Sequence, residues 1–247
     1  TVVIDGAPEL GGLCILRGCM PTKALLHAAE LRHAIREAEA WGIDAGEVRV
    51  DPARTFARKD SLISDFAVYR RQQLEDGRFE LIRARARFEG PGILRLEDGR
   101  TVRFDHAVVA TGSSVAPVVV PGLAEAGFLD SDRALALARI PESMVVLGGG
   151  AVALEFAQFY SRMGSRVTVI QRAARLLSGF DADVAGELEK ALRREGVTVF
   201  TGTQLERVDR SGSLKRVWFR QADGLRSVQA EEIFHGMGRI PNTGDLG

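Results

Sequence analysis

The strongest restriction on the fold is a run of three glycines, Gly148-Gly149-Gly150, which directly follows a short apolar stretch. That stretch, residues 144–148 (MVVLG), has the composition of a buried parallel strand. Apolar residues at helical spacing follow over Ala151–Met163, and Gly164 is expected to end this helix. Residues 166–171 (RVTVIQ) are β-branched and apolar, which indicates a second strand. The segment therefore predicts a strand–helix–strand unit with a glycine turn, which is typical of nucleotide-binding α/β domains.

The two halves of the chain share one pattern, in which helices and a hairpin lead to a strand that ends in glycine. The second half has predicted hairpin strands at 215–220 and 226–230 around the turn Asp223-Gly224, then a strand at 232–238. The first half has a strand at 1–5, hairpin strands at 93–97 and 101–104 around Asp98-Gly99, and a strand at 106–112. We therefore predict an α/β fold with two tandem Rossmann-like nucleotide-binding domains, each with an inserted antiparallel β-meander.

The comparison of the halves also indicates where the chain is divided. No glycine turn or helix precedes Thr1, and the chain stops just after a strand, so we expect truncation at both ends. A proline-containing segment with a predicted helix at 132–138, capped by Ser131, separates the halves. The predicted domains are residues 1–125, with helical segments at 24–40 and 60–76, and residues 126–247.

Charge and cysteine content exclude several classes of protein. The 33 basic and 33 acidic residues balance, so no electrostatic field favours nucleic acid or an anionic membrane. No apolar run reaches the roughly 18 residues that suggest a membrane span. Two cysteines are too few for a secreted disulfide scaffold, and they favour redox or metal chemistry and a cytoplasmic location.

The two cysteines lie close together in residues 11–21 (GGLCILRGCMP). Pro21 suits the first turn of a helix, which places Cys19 at a helix N-terminus. The helix dipole is expected to lower the thiol pKa of Cys19 there, as a thiol that exchanges electrons with Cys14 requires. Two alternatives are open at this point: both cysteines could be small core residues, or they could bind a metal with His27 and His33.

Residues 11–21 resemble, position for position, the active-site signature of the class I pyridine nucleotide-disulfide oxidoreductases. This family includes dihydrolipoamide dehydrogenase, glutathione reductase and mercuric reductase. The resemblance implies that Cys14 is the thiol that attacks the substrate and that Cys19 lies against the flavin. It also implies that Lys23, one helical turn farther on, lies near the flavin N5 atom. No metal site is then expected.

The resemblance extends to further FAD-binding residues. Gly11, Gly12 and Gly18 let the backbone approach a flat ligand closely. Asp5 follows a predicted strand, where an acidic residue of the family binds the adenosine ribose of FAD. Two further segments, 101–112 and 238–243, resemble family motifs, and their predicted cofactor-binding residues are Ala110, Thr111, Gly112, Gly238 and Arg239.

The second half supplies the predicted nicotinamide site. Gly148, Gly150 and Ala153 fit the G-x-G-x-x-G/A turn, in which the pyrophosphate lies at the N-terminus of a helix. By resemblance, Glu155 lies near the nicotinamide and pairs with Lys23. The alternative is an ordinary glutamate in the first helical turn, where the dipole favours it.

The residues after the second strand of this unit bear on the choice of dinucleotide. A carboxylate there would accept from both ribose hydroxyls and repel a 2′-phosphate, but this chain has Gln171, followed by Arg172 and Arg175. We therefore predict NADP, with NAD as the alternative. Ala151 occupies the position of the tyrosine that covers the nicotinamide pocket in the family.

Together these features predict an enzyme that passes electrons from NAD(P)H through FAD to the Cys14–Cys19 disulfide. The final acceptor would be a small disulfide or a soft metal ion, as in mercuric reductase. The alternatives are an NAD-dependent dihydrolipoamide dehydrogenase and a non-catalytic nucleotide-binding fragment. The resemblance also implies a homodimer formed through a C-terminal domain that this chain lacks.

Overall fold

The structure is a computed structural model that describes residues 1–247, apart from the side chain of Ser211. Its helices are α1 (Gly12–Arg17), α2 (Cys19–Glu37), α3 (Pro52–Glu75), α4 (Leu123–Ala126), α5 (Ser131–Leu135), α6 (Ala151–Met163) and α7 (Ala182–Arg194), with a 3-10 helix at Ala38–Trp41. The first six strands are β1 (Val2–Ile4), β2 (Glu80–Ile82), β3 (Ala86–Gly90), β4 (Ile93–Leu96), β5 (Thr101–Arg103) and β6 (Ser113–Val115). The other eight are β7 (Ser143–Leu147), β8 (Arg166–Ile170), β9 (Thr198–Phe200), β10 (Gln204–Ser211), β11 (Leu214–Gln221), β12 (Gly224–Ala230), β13 (Glu232–His235) and β14 (Arg239–Pro241).

A four-stranded parallel sheet, with strand order β13-β7-β8-β9, forms the centre of the second half. Its strand β7 is buried on both faces. Met144 and Val146 contribute to one apolar core with α2, α3 and α6, whereas Val145 and Leu147 contribute to another beside the β-meander. Burial on both faces explains why this strand is a continuous apolar run without alternation.

The predicted strand–helix–strand unit is confirmed. Helix α6 has the predicted bounds, and Gly164 ends it in the left-handed conformation, with φ of 113°. The predicted hairpins are also confirmed, since β4 pairs with β5 around Asp98-Gly99 and β11 pairs with β12, but the second turn is Ala222-Asp223, one residue before the predicted Asp223-Gly224. Both hairpins belong to three-stranded antiparallel sheets, β3-β4-β5 and β10-β11-β12. The mixed α/β class predicted from the sequence is therefore correct.

The predicted strand at 106–112 is wrong, because the structure has no regular secondary structure there. In the second half the corresponding strand, β13, hydrogen bonds to β7. No strand of the described residues lies beside 106–112, so its backbone groups have no ladder to join and Val108 is 93% exposed. The parallel sheet of the first half therefore contains only β1 and β2.

Two other expectations change at the level of single residues. The carboxylate of Asp130, and not Ser131, caps α5, because its Oδ1 atom accepts from the Arg133 backbone N–H at 2.8 Å. The two predicted helical segments are longer than expected and form α2 and α3. Within the described part of the chain, none of the helices combines the length and the apolar character that a membrane crossing requires.

Candidate active site

The cysteine pair lies at the junction of two helices. Cys14 is on α1, Cys19 is the first residue of α2, and Gly18 separates the helices. A Cβ atom at Gly18 would lie 2.9 Å from the Leu13 carbonyl oxygen, so a side chain there would force the helices apart. Both cysteines are free and exposed, and the Cys14 thiol is near enough to Cys19 to raise its pKa. The predicted proximity of the two sulfur atoms is thus present in the structure.

The predicted lowering of the Cys19 pKa is wrong in this state of the protein. The hydrogen bond with Cys14 raises the pKa of Cys19 above its ordinary value, and burial and the charge of Cys14 act in the same direction. The ammonium of Lys23 opposes them with a smaller effect. The helix dipole acts on Cys19 alone, whereas a second thiol shares the same site and has the larger effect on its pKa.

Helices α2 and α6 pack against each other in parallel, with their N-termini at the same end. Lys23, in the first turns of α2, forms an ion pair with Glu155 of α6, as the resemblance implied. Two helical turns later on both helices, Glu30 pairs with Arg162. The N-terminus of α2 carries Cys19, and the N-terminus of α6 carries the glycine turn. The parallel packing therefore brings the thiols and the glycine turn to one side of the protein.

Arg162 also ties α6 to the residue that follows α7. Its Nε and Nη2 atoms donate to the Glu195 carboxylate at 2.7 and 2.8 Å, and both side chains are largely buried. Burial raises the pKa of Glu195, but the hydrogen bonds and charge of Arg162 outweigh it, so the pKa lies below its ordinary value. Arg32 of α2 donates to the Arg162 carbonyl oxygen and adds a further link between the helices.

The glycine turn has the geometry that a dinucleotide fingerprint requires. At Gly148, with φ of 110°, a Cβ atom would overlap the Gly236 carbonyl oxygen. At Gly149 a Cβ atom would lie 2.9 Å from the Leu176 side chain, whereas at Gly150 it would meet nothing within 4 Å. Ala153 is fully buried against Gly236. The turn is therefore closed towards the protein and open above Gly150.

The open side of the turn suits a pyrophosphate. Gly150 is the N-cap of α6, and no side chain caps the free N–H groups of its first turn. Such N–H groups and the positive end of the helix dipole favour an anion. The residues at this site therefore fit the phosphates of a dinucleotide.

The loop after β8 presents its two arginines differently. Arg172 is exposed and forms no hydrogen bond or ion pair with the described residues. Arg175 donates through Nη2 to the carbonyl oxygens of Ser178 and Phe180, at 3.2 and 3.0 Å. The amide of Gln171 donates to the Arg175 carbonyl oxygen at 3.4 Å. Arg172 is therefore the more available of the two cations for a ligand.

The residues predicted to bind the flavin lie in three places. Gly11 is the N-cap of α1 and Gly12 is its first residue, and a Cβ atom at Gly12 would meet nothing within 4 Å, which leaves that backbone open to a ligand. Asp5 directly follows β1, where its Oδ1 atom accepts from the Ala7 backbone N–H at 2.7 Å and lies 3.5 Å from Arg83.

The third place joins the two halves of the chain. Thr111 donates to the Asn242 carbonyl oxygen at 2.7 Å, and the Asn242 side chain donates back to Thr111 at 3.1 Å. The Asn242 backbone N–H donates to Gly112, next to the antiparallel pair β6–β14. Ala110 precedes the residues that bond to Asn242, and it is exposed. On the other side of the β6–β14 pair, the Gly238 carbonyl oxygen accepts from the Ala116 backbone N–H.

Arg239 has partners that the sequence did not predict. Its guanidinium donates to the Ser113 hydroxyl at 2.9 Å, to the Ser113 carbonyl at 2.6 Å and to the Ser131 hydroxyl at 3.3 Å. Asn242 and Ser113 were also missed as residues that build this region. The signal for Asn242 was its place in the segment 238–243, whereas Ser113 carried no signal.

Comparison with known proteins adds an independent finding. A family model described as pyridine nucleotide-disulphide oxidoreductase matches residues 1–246. The chain belongs to this family. The predicted family and enzyme class are therefore correct, and a flavin and a pyridine nucleotide are the cofactors of the family. Among the described residues, no group of three or more His, Cys, Asp or Glu side chains is arranged so that it could hold a metal ion.

Individual relatives differ in their names. A mercuric reductase from Streptomyces lividans is 36% identical over 254 residues, which cover the whole chain and 53% of the relative. A dihydrolipoyl dehydrogenase from Thermus scotoductus is 36% identical over 244 residues, which cover 98% of the chain and 52% of the relative. The chain thus spans about half the length of these curated relatives.

A solved structure supports the same fold. The HOCl-induced flavoprotein disulfide reductase RclA from Escherichia coli, in a Cu(II) complex, matches with a TM-score of 0.79 and 25% sequence identity. The match covers 99% of this chain and 52% of the solved chain. The similarity therefore includes both halves of the present fold.

Proposed function

We propose that this chain carries the thiol pair and the dinucleotide site of an FAD-dependent, NAD(P)H-dependent reductase of a disulfide or a soft metal ion, similar to mercuric reductase. One observation carries the proposal: two exposed, neighbouring thiols lie at the same end of a parallel helix pair as the open glycine turn. The alternative that both cysteines are buried core residues is inconsistent with their exposure.

The side chains divide the chemistry among them. When bound, FAD supplies two-electron transfer between the nicotinamide and the thiol pair. Cys14 supplies the thiol that attacks a substrate disulfide or binds a soft ion. Cys19 holds its proton through the hydrogen bond with Cys14, and Lys23, fixed by Glu155, offsets part of that effect. When the pair is oxidised, the substrate disulfide or soft ion accepts two electrons, both thiol protons are released and the two sulfur atoms join.

The thiol pair is tested by anaerobic reduction of the FAD-loaded protein. We expect the parent protein to take up two more electrons than Cys14→Ser or Cys19→Ser, because each variant lacks the disulfide. NADPH oxidation is then measured with Hg²⁺, oxidised lipoamide and a small aromatic disulfide as acceptors. Equal electron uptake by the parent and both variants would contradict the proposal and favour a non-catalytic nucleotide-binding module.

The proposed dinucleotide is NADP. Gln171 stands where a carboxylate would repel the 2′-phosphate, and the free guanidinium of Arg172 is next to it. Gln171→Glu is expected to lower the preference for NADPH over NADH by roughly tenfold, which corresponds to about 1.4 kcal/mol. The ratio of the two dissociation constants measures this preference.

A second candidate is an NAD-dependent dihydrolipoamide dehydrogenase, which the 36% identity to the Thermus scotoductus relative favours. Tighter binding of NADH than of NADPH, together with faster turnover of lipoamide than of Hg²⁺, would select this candidate. The domain division after residue 125, the individual cofactor-binding residues and the homodimer remain predictions.

A further inference from the structure

An open cleft of about 480 Å³ lies at the carboxyl ends of β8 and β9. Its lining residues are Ala174, Thr201, Gly202, Gln221, Ala222 and Asp223. Gln221 ends β11, and Ala222 and Asp223 form the turn between β11 and β12, which belongs to the β-meander and not to the parallel sheet.

The strand order gives this cleft a position relative to the proposed dinucleotide site. The glycine turn follows β7, Gln171 follows β8, and β9 is the next strand outwards. A dinucleotide with its pyrophosphate at α6 and its ribose at Gln171 extends across the carboxyl ends of the strands. The base attached to that ribose then lies towards β9, where the cleft is found.

The walls of the cleft suit a flat ring. Ala174, Gly202 and Ala222 are small, so the opposite sides of the cleft approach each other without bulky side chains. The Gln221 amide donates to the Thr201 carbonyl oxygen at 3.0 Å, which fixes the turn against the segment after β9.

Asp223 is the one ionisable residue that lines the cleft. The hydrogen bond from Arg226 lowers the pKa of Asp223, so the carboxyl group is ionised at neutral pH and acts as an acceptor. Arg226 itself lies over the Phe200 ring, with 5.8 Å from Cζ to the ring centroid. The ion pair with Arg226 therefore holds the Asp223 carboxylate near Phe200, the last residue of β9.

We propose that the β11–β12 turn recognises the base of the dinucleotide, and that Asp223 accepts a hydrogen bond from the exocyclic amino group of adenine. This inference rests on the dinucleotide site proposed above. A hypoxanthine base has a carbonyl oxygen in place of that amino group. Two acceptors would then face each other, so Asp223 would discriminate against the hypoxanthine dinucleotide.

The experiment compares NADPH with nicotinamide hypoxanthine dinucleotide phosphate in its reduced form, on the FAD-loaded protein. Dissociation constants are measured by fluorescence titration. The parent protein is expected to bind NADPH about tenfold more tightly, as for one charge-assisted hydrogen bond at an exposed edge. Asp223→Ala should reduce this ratio to about one, and Asp223→Asn should do the same, because its amide can accept from the adenine amino group or donate to the hypoxanthine carbonyl.

The first hairpin offers a matched control. Asp98 occupies the equivalent turn between β4 and β5 and pairs with Arg100, so Asp98→Ala removes the same type of turn residue. This variant should keep the parental ratio. An unchanged ratio in both Asp223 variants, with NADPH still bound, would overturn this inference alone. Failure of the parent protein to bind either dinucleotide would overturn the proposed function as well.

Discussion

The two outer glycines of the dinucleotide turn have different tasks, and a pair of alanine substitutions separates them. In Gly148→Ala the new Cβ atom overlaps the Gly236 carbonyl oxygen, which is backbone and cannot rotate away. The residue also has φ of 110°, a conformation that costs an L residue about 1–2 kcal/mol. Overpacking adds about 1–3 kcal/mol. We expect a loss of about 3 kcal/mol, or roughly 6–12 °C in Tm.

Gly150→Ala should behave in the opposite way. Gly150 has φ of −84°, which alanine adopts without strain, and its Cβ atom would meet no atom within 4 Å. The weaker N-cap costs about 0.5–1 kcal/mol. The reduced entropy of the unfolded chain returns about 0.4–1 kcal/mol, so Tm should change by less than about 2 °C. The methyl group occupies the open side of the turn, and NADPH affinity should fall at least about tenfold.

Thermal unfolding followed by circular dichroism and NADPH titration by fluorescence measure both effects on the same samples. The expected result is a crossed pattern, in which Gly148→Ala loses stability and Gly150→Ala loses affinity. If Gly150→Ala binds NADPH as tightly as the parent protein, the pyrophosphate does not lie above this glycine. If Gly148→Ala keeps the parental Tm, the described approach to Gly236 is not present in the protein.

Three further outcomes follow from the site. Cys14→Ala should lower the pKa of Cys19, because it removes the hydrogen bond that raises this pKa. The pH profile of Cys19 alkylation should then shift to lower pH, and Cys14→Ser should shift less. Arg162→Ala should cost about 3 kcal/mol in urea unfolding, since Glu195 stays buried without its partner, whereas Arg162→Lys should cost less. The lowered pKa of Glu195 stabilises the fold above the unfolded value of 4.5, and this stabilisation is lost as pH falls through the folded-state pKa. Parental stability should therefore drop below about pH 4.5, and an equal drop in Arg162→Ala would contradict this cause.

The sequence predicted those parts of the fold that short-range patterns determine. Helix α6 was predicted to the residue because an apolar strand, a glycine turn and a terminal glycine mark its ends. The segment 106–112 has a similar apolar pattern, yet it is not a strand, since a strand requires a neighbouring strand. An apolar pattern shows that a segment can form a strand. Whether a neighbouring strand is present to pair with it depends on the whole fold.

The site shows the same division between local and distant causes. The Lys23–Glu155 pair was predicted through the family resemblance, and the structure contains it. The pKa of Cys19 was predicted in the wrong direction, because the helix dipole is local whereas the contact with Cys14 depends on how α1 and α2 meet at Gly18. The partners of Arg239 were not predicted, because they come from segments more than 100 residues away.

The two ion pairs between α2 and α6 have opposite polarity. On α2 the basic residue Lys23 comes first and the acidic Glu30 second, and on α6 the order is reversed. If either helix slid by two turns, Lys23 would face Arg162, or Glu30 would face Glu155, and like charges would repel. A chimera that joins the first half of one relative to the second half of another therefore needs matching charges at all four positions. Without them, the thiols and the glycine turn would be misaligned.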